Sequence, residues 1–492
     1  MEGGTLDERA EQQTGRVPIL TMTATIDPAE FFGDAAIQDP YPLYARLRSD
    51  GGVHRVGDSE FYVVSSWAAI TDVVSRPEVF SSNLTATMTF TPAGGVVPFP
   101  MDGVGGRTHI LVTADDPVHA SHRKLMVGQF TAKRVQALQP LITRVFETLW
   151  ATAAYDGTIE WMDAVANRLP MSVVADLIGV PEADADQLAR WGYASTQLLD
   201  GLMSVDELAA SMAAIGELSA YITTRLRLAA TSPRDDLMAV LAKACAAGEL
   251  DAFTAQLILV SLFSAGGEST ASLLGTAVAI LSTDAALQRR LRDQPDLLGV
   301  FIEETLRLEP PFRAHYRHVL GDTELAGAAL PRNSRVLLLW GAANRDPAHF
   351  EAPDKFRLDR PISKGHMSFG KGIHFCLGAP LARLEAATVL RMLLDRTEWF
   401  EAADVSRGST AGTPAGVEPQ EPVTMTFPHS RLWVSSSNAA SARSSGKRWV
   451  ISAERSRRAS RSTASSNRVG YSMEPRMVNS FISTLRKLTG TA

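Results

Sequence analysis

Residues 251–281 place the strongest constraint on the fold. Asp251 can cap a helix that runs to about Leu281. At 1.5 Å per residue such a helix spans ~45 Å, enough to cross a whole domain. It is apolar nearly all round, which predicts burial on every side. The rest of the chain must wrap it. Its middle reads Ala265-Gly266-Gly267-Glu268-Ser269-Thr270. Two adjacent glycines weaken a helix by about 1 kcal/mol each against alanine. A carboxylate and two hydroxyls buried without partners cost roughly several kcal/mol more. Two readings account for such a segment. The small residues admit a close-packed neighbour and the hydroxyls bond back to the previous turn, or a loosened helix admits dioxygen and water while Glu268 and the hydroxyls relay protons.

A second constraint lies at Gly365-His366-Met367-Ser368-Phe369-Gly370-Lys371-Gly372-Ile373-His374-Phe375-Cys376-Leu377-Gly378-Ala379-Pro380. Gly370 and Gly372 permit a tight turn that other residues resist. Pro380 suits the first turn of the helical pattern Leu381 to Arg396. Cys376 then sits at the lip of a helix N-terminus, where free N–H groups favour a thiolate. A thiolate on a rigid turn is a ligand for a soft or borderline metal such as haem iron. Alone, it reads equally as a small buried hydrophobe.

Between these landmarks the pattern is mostly helical. Tyr41 to Arg48 has helical spacing, Gly52 to Ser65 reads as a hairpin, and Ala68 to Val74 as a short helix. Phe80 to Thr113 is read as one long irregular segment, of the kind that is usually functional. Asp115-Asp116-Pro117 opens a helix, and helix continues to Arg292 with breaks near Gly179 to Pro181, Gly201, Ser232-Pro233 and Gly248. Short strands are expected from Pro310 to Leu339, then a meander from Ala342 into the cysteine turn.

The string Phe-Gly-x-Gly-x-His-x-Cys-x-Gly at 369–378 resembles the haem-binding signature of the cytochrome P-450 superfamily. Glu268 with Ser269 resembles the family's oxygen-activation motif, with serine where threonine is usual and Thr270 one residue on; either hydroxyl can carry the role. Glu304 and Arg307 resemble the family's Glu-x-x-Arg pair, with Arg360 as its third member. As an exposed pair, Glu304 and Arg307 would contribute only about 0.3 kcal/mol. The resemblance covers roughly Asp39 to Asp404 and is similar to soluble actinobacterial members, an orphan subfamily among them. It implies a mainly helical, triangular-prism fold with a small sheet, and haem between the central helix and the cysteine-turn helix. It implies haem b with Cys376 as its iron ligand, and cofactor contacts from His119, Arg123, Arg317, Phe369, Gly370, Gly372, His374 and Gly378. The implied catalytic set is Glu268, Ser269 and Thr270. The implied activity is monooxygenation of a lipophilic small molecule, fed by a ferredoxin and an NAD(P)H-dependent ferredoxin reductase. A pocket of Leu262, Phe263, Ala265 and Gly266 with parts of the 80–113 segment is expected, and donor docking near Lys371 and Arg123-Lys124. A peroxide-driven peroxygenase and a catalytically silent haem-binding protein are the rival readings.

Net charge is −6 over 492 residues, which argues against bulk nucleic-acid binding. Two distant cysteines, Cys245 and Cys376, fit a reducing cytosol. The N-terminus lacks a signal-peptide layout, and no apolar run reaches the ~18 residues of a membrane span. A cytoplasmic protein is expected. Residues 435–492 differ from the rest, with eleven Lys or Arg against two Glu and fifteen serines. The expected organisation is a flexible segment at 1–24, a haem domain at 25–405 and an atypical tail at 406–492, largely disordered. The tail reads either as out-of-frame translation, which intact mass would test, or as a basic arm for an acidic partner.

Overall fold

The computed structural model describes residues 23–101, 108–154, 159–181, 184–197, 205–231, 234–361, 365–401, 422–425 and 449–452. The apolar central segment forms one unbroken helix, Ala252–Ser282, capped by Asp251, whose carboxylate accepts the Thr254 N–H at 2.9 Å. It packs against the helices Leu169–Ile178, Ala185–Gln197, Val205–Ala229, Leu297–Leu308 and Ala379–Arg396. One core cluster joins its C-terminal half, around Leu274 and Val278, to Phe146, Trp161, Phe301 and Leu390. A second joins its N-terminal half, around Ile258 and Phe263, to Met171, Ile178 and Leu241. Among the described residues it is the one helix long and apolar enough to cross a membrane, by length and composition. Counting uninterrupted apolar runs missed it, because Gly266 to Thr270 break the run. Half of its most apolar window is buried inside the protein, as befits a core helix.

The smaller portion is a six-stranded sheet, ordered Ala24–Ile26, Val53–Val56, Phe61–Val64, Arg335–Leu339, Ala314–Val319, Phe80–Ser81. Val63 lies opposite Leu337 in a parallel pair, and Leu337 opposite Tyr316 in an antiparallel one. Both faces are covered. Phe61, Val63, Leu337 and Leu339 face one core cluster, while Tyr62, Val64, Val336 and Leu338 face another. Two-sided burial explains why these strands read as continuous apolar runs.

The Gly52 to Ser65 hairpin forms as expected. The 80–113 segment is not uniformly irregular. Ala86–Phe90 pairs with Val96–Pro100 around a turn at Gly94, whose φ is +84°. Ala86 and Met88 are buried against the sheet, so tertiary contact makes strands where glycine and proline suggested a loop. The helix opened by Pro117 is Val118–Val127. The expected breaks at Gly201 and Ser232-Pro233, and nearly all of the 1–24 and 406–492 segments, lie outside the described residues. Within the tail, Pro422–Met425 and Trp449–Ser452 form a three-stranded sheet with Trp399–Glu401, the Trp449 strand in the middle.

Candidate active site

The cysteine turn is held from several sides. Gly370 and Gly372 have φ of +69° and +74°. A Cβ at Gly372 would also stand 2.9 Å from the Val74 carbonyl oxygen, so only glycine fits. The Gly370 N–H donates to the Met367 carbonyl and the Cys376 N–H to the Phe369 carbonyl, both at 2.9 Å. Asn344 of the meander accepts the Met367 N–H at 2.7 Å and donates to Ser368 Oγ at 2.9 Å. The helix Ala379–Arg396 starts just after Cys376, and the N–H groups of Gly378 and Ala379 point at its sulfur. Gly378 has ordinary helical φ, and a Cβ there would meet the Cys376 sulfur only at contact distance, 3.9 Å.

Those N–H groups do not by themselves hold a thiolate. Burial raises the Cys376 thiol above its usual range, and it outweighs the Gly378 and Ala379 N–H groups and the charges of Arg123 and Arg383. A bound metal cation would act in the opposite direction and favour the thiolate.

Four expected contacts gather beside the turn. His119 is buried, with its ring centroid 4.2 Å from that of His374. His119 Nδ1 lies 3.2 Å from Asp116 Oδ1, which leaves Nε2 buried and unpartnered. His374 Nε2 is also buried and unpartnered. Burial first, then Arg317, His119 and Arg123, push His374 down to about 3. Arg317 lines one cleft with His374, Ser82 and Lys371. Burial pushes Arg317 down to about 10, against the opposing charge of Asp115. Arg123 donates to the Phe375 carbonyl at 2.9 Å, next to Cys376.

The central helix presents one opening. Ala265 is exposed in mid-helix, flanked by half-buried Leu262 and Ser269. Ser269 Oγ donates to the Ala265 carbonyl at 2.7 Å, so its lone pairs remain available as acceptors. Thr270 is buried on another face. Phe263 and Gly266, expected in the pocket, face elsewhere. Phe263 is in the core, and a Cβ at Gly266 would meet Val174 at 2.6 Å. A Cβ at Gly267 would meet Met171 at 2.4 Å. The glycine pair therefore serves close packing on the helix Leu169–Ile178, and the helix is not loosened there. Glu268 is half-buried, and its charge, after burial, helps raise the Tyr193 phenol.

The cytochrome P-450 family model matches residues 209–427, which carries the likeness past Val405. Cytochrome P-450 144 of Mycobacterium tuberculosis (strain ATCC 25618 / H37Rv) is 57% identical over 400 residues, covering 81% of this chain and 92% of that protein. The chain belongs to the cytochrome P-450 family. Crystal structures agree. A cytochrome P-450 from Bacillus megaterium in complex with testosterone has a TM-score of 0.66 and 30% identity, covering 77% of this chain and 94% of that one. A myxobacterial cytochrome P-450 in complex with myristic acid has a TM-score of 0.70 and 26% identity, covering 87% and 100%.

As a cytochrome P-450 this protein is a monooxygenase that binds haem b. The residues present fit the group. A haem brings two propionates, and the two orphaned histidine nitrogens and the desolvated Arg317 are donors of the kind they need. Cys376 supplies the soft ligand at the helix start. The Glu304 clamp assembles this side of the cytochrome P-450 fold. Glu304 takes Arg307 through two bonds of 2.8 Å and Arg360 Nε at 3.1 Å, and accepts the Arg357 N–H at 3.0 Å. Arg307 continues to the carbonyls of Asn344 and Pro353. All three charged side chains are under 9% exposed, so the clamp is a buried network and not a surface pair. Sequence reasoning did not find Glu303, His366 and Arg383, which meet behind the cysteine turn. They share no spacing signal, because three separate segments supply them.

Proposed function

We propose that this monooxygenase inserts one oxygen atom of dioxygen into a lipophilic small molecule, using electrons from a ferredoxin and its NAD(P)H-dependent reductase. The observation that carries this is the opening at Ala265 in the middle of the central helix, bordered by Leu262 and Ser269. An opening with an apolar side chain and one hydroxyl suits an apolar ligand. The relatives crystallised with testosterone and with myristic acid support that class.

When bound, haem supplies the reductive activation of dioxygen. Cys376 would supply the sulfur that holds its iron, on the turn shaped by Phe369, Gly370, Gly372 and Gly378. His119, Arg317 and His374 would hold the propionates. Arg123 would join them by rotating, or keep the Phe375 carbonyl in place. Ser269, on the open side of the helix, would hand protons inward from Glu268; Thr270 is too buried to serve. The donor would dock on the cysteine-turn face, where exposed Ile373 and Phe375 lie beside Lys371 and Arg123-Lys124. We place the haem domain at 25–405 and the protein in the cytoplasm.

The first test is the difference spectrum of the dithionite-reduced protein with and without carbon monoxide. A strongly red-shifted Soret band is expected from Cys376 ligation, and a blue-shifted one would sink the assignment. Ferredoxin-dependent oxygen and NAD(P)H consumption then tests the electron route. Turnover with hydrogen peroxide alone would replace it by a peroxygenase.

A further inference from the structure

Arg383 lies one turn into the helix that follows Cys376. Its guanidinium covers the Phe369 ring, 4.4 Å from the centroid. Phe369 is the residue whose carbonyl accepts the Cys376 N–H. Arg383 is not free to leave. Glu303, on the Leu297–Leu308 helix, takes its Nε at 2.6 Å and Nη2 at 2.9 Å, a bidentate fork. Glu303 is anchored in turn by His366 Nε2 at 3.2 Å. His366 Nδ1 accepts the Ser368 N–H at 3.1 Å, so Nε2 carries the proton and donates. Burial opposes the charge on Glu303, yet the Arg383 and His366 hydrogen bonds hold its carboxyl down at about 2. The ion pair is therefore intact across the working pH range.

This arrangement is more than a brace. The Arg383 charge, like that of Arg123, bears on the Cys376 sulfur. We propose that Arg383, oriented by Glu303 and His366, is a positioning residue that seats Phe369 against the cysteine turn and sets the reduction potential of the bound haem iron. The physical reason is charge. Reduction adds one electron beside the sulfur, a cation there favours the reduced state, and an anion opposes it. Glu303 tempers the cation, so the pair holds the potential between two extremes.

The inference rests on Cys376 ligation, and the test separates the two. The full-length haem-loaded protein, with R383Q, R383K and E303Q, is titrated spectroelectrochemically and examined as the reduced carbon monoxide complex. R383Q is expected to move the potential negative and E303Q to move it positive, with R383K between R383Q and the native protein. Both shifts should shrink as salt rises, because Arg383 is partly exposed. A purely structural brace predicts the same direction of change for both charge removals. Shifts of the same sign, or no shift while the red-shifted band persists, would overturn the proposal. Should R383Q fail to hold haem, R383K against E303Q still decides the sign. Absence of the band in the native protein would instead overturn the ligation assignment.

Discussion

At the scale of single residues, the site is defined by what each position cannot give up. Gly372 needs both a positive φ and the space beside Val74. Gly372→Ala should therefore cost about 1–3 kcal/mol of strain and loosen the turn; the check is the fraction of protein that shows the red-shifted carbon monoxide band. Ser269 and Thr270 were equivalent as letters, and only burial distinguishes them. Ser269→Ala should cut product formed per NAD(P)H consumed by roughly 10-fold or more, while Thr270→Val should leave that ratio near the native value. A reversed outcome would move the relay to Thr270. His315 is half-buried and accepts the Trp340 indole N–H on Nδ1 at 2.6 Å. Burial, then the Arg317 charge, push it down to about 3. The unfolded chain, with an ordinary histidine near 6.5, binds more protons between those two values. Stability is therefore complete above pH ~6.5 and declines as pH falls toward 3, by at most about 1.4 kcal/mol per pH unit from this group. Urea midpoints at pH 7 and 5.5 test this, and His315→Phe should reduce the difference, His374 contributing in the same direction.

At the scale of elements, the central helix was legible in outline. Its cap, length and all-round apolarity follow from Asp251 and the residues after it. The purpose of Gly266 and Gly267 was not legible, because Val174 and Met171 come from a helix about ninety residues earlier. The same holds for the clamp. Spacing put Glu304 and Arg307 on one face, where an exposed pair is worth little. Burial changes the magnitude. Glu304→Gln leaves Arg307 and Arg360 with weakened partners in the interior, and a loss of roughly 3–5 kcal/mol is expected. A urea midpoint within error of the native protein would show that the meander does not depend on the clamp.

At the scale of the molecule, the described tail strands bear on the C-terminus. Trp449–Ser452 lies between Trp399–Glu401 and Pro422–Met425, and buried Phe400 is further tied to Gln288, whose Oε1 accepts its N–H at 3.1 Å. A chain ending at Glu401 loses the other two strands of this sheet, so its thermal midpoint should fall below that of the full chain. An equal midpoint would show that the tail adds nothing to the fold. The long run of local signals explains why so much was legible. The glycine turn, the cysteine, the helix caps and the apolar periodicities act within a few residues, and the family resemblance rests on four such strings in order. Local signals determine which segments become helix or turn, and which residue types are offered to iron and to propionates. Tertiary structure decided the remainder: which hydroxyl faces the opening, that Phe263 and Gly266 turn away from it, that burial overrides the helix end at Cys376, and that Glu303, His366 and Arg383 meet behind it. Those outcomes depend on desolvation and on contacts between segments far apart in the chain, and neither quantity exists until the chain has folded.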